Sequence, residues 1–86
     1  MQDIADPQLT AVLDVIRRNV LELLPDLDPA DVAPQHSLAG LGANSIDRAD
    51  IVAMSMEDLG ISIGVTEFAG VNDIGTLAAL LRRHLP

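Results

Sequence analysis

The sequence predicts an all-α fold: three main helices, a short fourth one and a long first loop. Three observations lead there. Apolar residues recur at three- and four-residue steps in separate windows, and no stretch alternates as a strand would. Each window opens on a capping residue and closes on proline or glycine. The chain has 86 residues, 49% of them hydrophobic, enough for one small core. With Phe68 the sole aromatic residue, that core must be aliphatic.

Asp6 and Pro7 read as N-cap and first helical position. Leu9, Val12, Leu13, Ile16, Val20, Leu23 and Leu24 then mark one amphipathic helix over about residues 7–24, ended by Pro25. Residues 25–43 hold three prolines and two glycines, a connection longer than most helix–helix loops. Leu27, Val32, Leu38 and Leu41 are expected to pin it to the core, with one helical turn at 29–32. Asn44 and Asp47 fit a capping box, so a second helix runs over 45–59 and stops at Gly60. A single turn is expected at 65–69, before Gly70. Asp73 caps a last helix, 74–85, with Leu77, Leu80, Leu81 and Leu85 inward. Its final turn carries Arg82, Arg83 and His84, where the helix dipole favours positive charge. The expected organisation is one domain over residues 1–86.

Composition narrows the function. Thirteen acids against five arginines give a formal charge of -8, which argues against nucleic acid and anionic membranes as partners. It suits a soluble protein met by basic partner surfaces. No cysteine is present, so disulfides, thiolate nucleophiles and cysteine metal sites are excluded. The first residues, MQDIADPQLTAV, lack the pattern of a signal peptide, and no apolar run reaches a membrane span. A cytoplasmic location is expected.

The second helix is apolar on two sides. Ile46, Ala49, Ala53 and Met56 make one stripe, flanked by Asp50 and Glu57; Ile51, Val52, Met54 and Leu59 lie largely around the other. One stripe must meet the core, and the other is either buried too or left as an acid-edged docking strip. Periodicity alone does not choose.

Ser45 opens that helix in the run GANSID. A hydrolytic nucleophile would need a base and an orienting acid, and the two histidines, His36 and His84, lie in the loop and near the chain end. The surrounding residues are not a Gly-x-Ser-x-Gly elbow. A plain helix cap is a second reading. A third is a serine modified by another enzyme: its hydroxyl is presented outward, and free N–H groups at a helix start favour an attached phosphate by about 0.3–1 kcal/mol.

Leu41-Gly42-Ala43-Asn44-Ser45-Ile46-Asp47 resembles the phosphopantetheine attachment motif of acyl carrier proteins, usually Leu-Gly, a variable residue, Asp-Ser-Leu and an acidic helix. The resemblance covers nearly the whole chain and implies a four-helix bundle of that type. It implies that Ser45 bears a 4′-phosphopantetheine arm, brought from coenzyme A by a Mg²⁺-dependent phosphopantetheinyl transferase. The arm's thiol would hold the acyl group, so no catalytic residue and no metal ligand is expected in this chain. Asn44 departs from the usual Asp; it keeps the cap and removes a charge that would help the transferase dock.

The stretches Asn-Ser-Ile-Asp-Arg-Ala-Asp-Ile (44–51), Met-Glu-Asp-Leu (56–59) and Glu-Phe-Ala-Gly-Val-Asn-Asp-Ile-Gly (67–75) resemble a narrower group, the free-standing donor carriers of polyketide β-branching cassettes. That resemblance implies an acyltransferase that loads malonyl and a decarboxylating ketosynthase-like enzyme that leaves acetyl. It also implies an HMG-CoA-synthase-like enzyme that adds this acetyl to a β-ketoacyl chain on a second carrier. Ile46, Asp50, Ala53, Met56 and Glu57 would form the outward partner face, and Ile51, Val52, Met54, Ser55 and Leu59 would face inward. Arg48 would take part in partner selection, and a monomer is expected. A general polyketide, fatty-acid or peptide-synthesis carrier is the alternative within the class; an unmodified helical adaptor is the alternative outside it.

Overall fold

The computed structural model describes residues 6–86. Three α-helices, α1 (Pro7–Leu23), α2 (Ser45–Leu59) and α3 (Ile74–Arg83), are joined by two irregular connections. Each connection holds one 3-10 turn, Pro29–Asp31 in the first and Val65–Phe68 in the second. The short fourth helix of the sequence reading is thus a tight turn, and no strand occurs among the described residues.

Every helix start is secured locally. Asp6 accepts from the N–H groups of Gln8 and Leu9. Asn44 with Asp47, and Asp73 with Thr76, each close a reciprocal capping box. The first and last helices are shorter than their apolar periodicity predicts, α1 by one residue and α3 by two. Both run toward a proline, Pro25 and Pro86, and the residue before a proline is driven out of the α region. Leu24 accordingly sits at φ -126°, ψ 69°. Past α3, Leu85 bonds back to Arg82 in a tighter turn and is half-buried outside the helix.

The core is aliphatic: Val12, Ile16 and Val20 of α1 meet Ile51 of α2 and Ile74, Leu77, Leu80 and Leu81 of α3. The long loop is pinned to it as expected. Val32 and Leu38 are buried, and Leu27 and Leu41 pack against the cluster. Arg17 adds a bond from its guanidinium to the Val32 carbonyl at 3.0 Å. The loop also completes α3, because the carbonyls of His36 and Pro34 accept from the first N–H groups, Ile74 at 2.9 Å and Gly75 at 2.8 Å. A Cβ at Gly75 would sit 3.1 Å from the Pro34 carbonyl oxygen, a tight approach that favours glycine there.

Two polar side chains lie inside, one of which the periodicity of α1 does not disclose. Asn19 donates its amide to the Ser55 hydroxyl at 3.0 Å and to Asp58 at 3.1 Å, and Arg18 reaches the same carboxylate at 2.9 Å. These bonds tie α1 to α2. At the other end of the bundle, Arg82 pairs with Asp6 at 2.6 Å, setting the end of α3 beside the start of α1.

Candidate functional site

Gly42, at φ +104°, turns the loop in a conformation that costs other residues strain. Ala43 then tucks into the core and bonds back to the Leu38 carbonyl at 3.0 Å. Asn44 follows in an extended conformation and caps α2, its side-chain oxygen 2.8 Å from the Asp47 nitrogen. The Asn44 carbonyl takes the Arg48 N–H at 2.9 Å. Ser45 is therefore the first helical residue and is exposed.

The hydroxyl of Ser45, and the N–H groups of Ser45 and Ile46 beside it, have no hydrogen-bond partner among the described residues. Both histidines are occupied elsewhere. His36 Nδ1 bonds the Asp31 carbonyl, and His84 Nε2 lies 3.1 Å from Glu67. No base is in place to make Ser45 a nucleophile of its own. An uncommitted hydroxyl next to two uncommitted N–H groups at the positive end of a 15-residue helix is a setting that favours negative charge.

Beyond Ser45, α2 presents two different faces. Ile51 and Ser55 are fully buried, and Val52, Met54 and Leu59 are half-buried. Ile46, Ala49, Asp50, Ala53 and Glu57 are exposed, Ile46 by 71%. Core packing thus selects the Ile51 stripe as the inner one. Met56 is the exception to the expected outward set. It is half-buried, because a groove of about 450 Å³ opens between α2 and the Val65–Phe68 turn, and Met56 lines it together with Val52, Ile63 and Phe68.

Val65, on the far rim of that groove, is 88% exposed, more than Ile46. The sequence reading missed it, since one valine in a short turn carries no periodic signal; its neighbours Gly64 and Thr66, both exposed, were the only hint. Arg48, expected to take part in partner selection, has its guanidinium partly engaged within the chain. It is half-buried at the groove, with Nη1 2.9 Å from the Ala43 carbonyl oxygen. Among the described residues no cluster of His, Cys, Asp or Glu could hold a metal ion, and no helix is long and apolar enough to cross a membrane.

Residues 14–81 match the family described as the phosphopantetheine attachment site, and the chain belongs to that family. Its members carry 4′-phosphopantetheine, so the chain is a carrier of a covalently attached arm and not a catalyst. It is similar to the polyketide biosynthesis acyl-carrier-protein AcpK of Bacillus subtilis (strain 168), 43% identical over 70 residues that span 81% of this chain and 85% of the relative. No solved structure matches it.

Proposed function

We propose that this protein is an acyl carrier of polyketide biosynthesis whose arm is attached to Ser45. The observation that carries the reading is the free, exposed Ser45 hydroxyl at the start of α2, within Leu-Gly-Ala-Asn-Ser-Ile-Asp. In the loading step Ser45 Oγ forms a bond to the phosphorus that bears the pantetheine arm of coenzyme A. The hydroxyl proton is lost to the transferase or solvent, and the adenosine bisphosphate half leaves. The N–H groups of Ser45 and Ile46 then face the resulting phosphodiester. Weighing the protein after incubation with coenzyme A and a broad-specificity phosphopantetheinyl transferase tests this. One arm's mass should appear on the wild type and none on Ser45→Ala. A Ser45→Ala protein that still gains the mass rules the site out, and a wild type that never gains it favours the adaptor reading.

The finer role is that of acetyl donor in polyketide β-branching. The arm accepts malonyl from an acyltransferase, a ketosynthase-like enzyme removes carbon dioxide, and an HMG-CoA-synthase-like enzyme uses the acetyl thioester for addition to a β-ketoacyl group on a second carrier. The support is the Asn-Ser-Ile-Asp-Arg run with the stretches 56–59 and 67–75; the name of the relative supports only the polyketide setting. Recognition runs over the exposed face of α2, with Ile46 and Ala53 as apolar contacts, Asp50 and Glu57 steering toward basic residues, and Met56 met through the groove. Val65 extends that face across the groove. Steering by exposed acids is screened by salt, so transfer at low carrier concentration should slow as ionic strength rises. The deciding assay offers the synthase-like enzyme the acetylated protein and, separately, an acetylated extension carrier. Equal rates would leave the general carrier reading; a preference for this protein that Asp50→Lys abolishes supports the donor role.

A further inference from the structure

We propose that Arg48 is a positioning residue for Ser45, an inference that rests on Ser45 being the attachment serine. A cation in the first turn of a helix opposes the dipole, so its position there calls for a compensating partner. Three of the other four arginines, Arg17, Arg18 and Arg82, pair with carboxylates. Arg48 pairs with none among the described residues. Asp47, its neighbour, is engaged with Asn44, and Asp73, across the groove, is engaged with Thr76. The guanidinium turns back instead and donates to the carbonyl of Ala43 at 2.9 Å, in a partly buried setting.

The placement of that bond is the point. Ala43 is the last loop residue before the cap, and it is held on its other side by its own N–H bond to Leu38. Gly42 before it stands at φ +104°, where glycine has no Cβ to oppose the turn. Arg48 therefore spans the serine: its backbone N–H bonds Asn44, one residue before Ser45, and its side chain bonds Ala43, two residues before. The two bonds stop the loop from peeling away from α2 and fix the backbone from which the Ser45 side chain projects. A modifying enzyme that must align the Ser45 oxygen with a phosphorus gains from a serine whose backbone is already ordered. The bond to Ala43 engages Nη1 alone, so this positioning role stands beside the partner-selecting role that the resemblance implies for Arg48.

The test is to compare wild-type protein with Arg48→Met, which keeps an unbranched stem and removes the donors, and with Arg48→Lys, which keeps a donor. Amide hydrogen exchange at residues 40–45 should become about tenfold faster in Arg48→Met, while exchange in α1 and α3 is unchanged. In the transferase reaction its KM for the carrier should rise about three- to tenfold with little change in kcat. Arg48→Lys should recover most of both. Arg48→Gln is read in the same way if Arg48→Met does not fold. Exchange and KM within twofold of the wild type overturn the proposal. So does an Arg48→Met protein that is loaded normally but refused by the synthase-like enzyme, which is the signature of partner selection. A wild type that gains no arm sinks the Ser45 assignment, whereas exchange at 40–45 still reports on the Arg48 bond.

Discussion

The helix α3 buries five of its ten residues, while α2 buries two of fifteen. Both begin with a capping box, but α3 has a single apolar face in sequence and α2 has two. The difference lies in what surrounds them. Ile74, Leu77, Ala78, Leu80 and Leu81 give α3 an unbroken inward face, its start closed by loop carbonyls and its end by the Arg82–Asp6 pair. In α2 only Ile51 and Ser55 are fully enclosed, and most of the rest either lines a groove or meets water. A helix held by few deep contacts can spend its remaining surface on other molecules. Of the two, α3 supplies the deeper share of the core, and α2 keeps more of its surface exposed.

Removing a deep contact should have the largest effect. Leu81→Ala is expected to cost about 2–5 kcal/mol in urea unfolding, whereas Ala53→Ser on the exposed face of α2 should change stability by less than about 0.5 kcal/mol. Equal costs at the two sites would break the contrast. Next comes the polar tie between α1 and α2. Asn19→Ala leaves the buried Ser55 hydroxyl without its donor and Asp58 with one partner fewer, at an expected cost of about 1–3 kcal/mol. Asn19→Ala with Ser55→Ala should recover part of that loss, and a purely additive double mutant would mean the two side chains act separately.

Met56 sharpens the comparison because it belongs to both regions. Met56→Asp is expected to lose about 1–2 kcal/mol, since half of an apolar side chain leaves the groove wall. No measurable loss would place Met56 wholly on the docking face. The smallest effects are electrostatic. Bonds from the Asn19 amide and then the Arg18 guanidinium hold the Asp58 carboxyl below its ordinary range, and the Thr76 N–H and hydroxyl do the same for Asp73. A carboxyl whose pKa is lowered by folding contributes stability above its unfolded pKa, about 3.9, and loses it as pH falls through the folded value. Unfolding midpoints should therefore drop below about pH 4, and Asp58→Asn should flatten part of that slope. An unchanged slope would mean that other carboxylates carry the acid sensitivity.

The residues 45–59 were legible from sequence alone, bounds included. Asn44, Asp47 and Gly60 act on neighbours three or four positions away, and such interactions are written in the local order of residues. The same holds for Ser45, whose exposure follows from standing just inside the cap, and for the loop anchors Val32 and Leu38, which are apolar residues in a polar stretch. The wheel of α2 could not say which stripe turns inward, because both are apolar and burial depends on where α1 and α3 lie. Asn19 and Ser55 meet across 36 positions of chain. Met56 is half-covered because a short turn ending at Phe68 stands beside it, and the Arg48 guanidinium donates to the Ala43 carbonyl. Periodicity reports the direction of a side chain relative to its own helix axis. What waits in that direction is set by the packing of distant segments, and only the tertiary structure decided it.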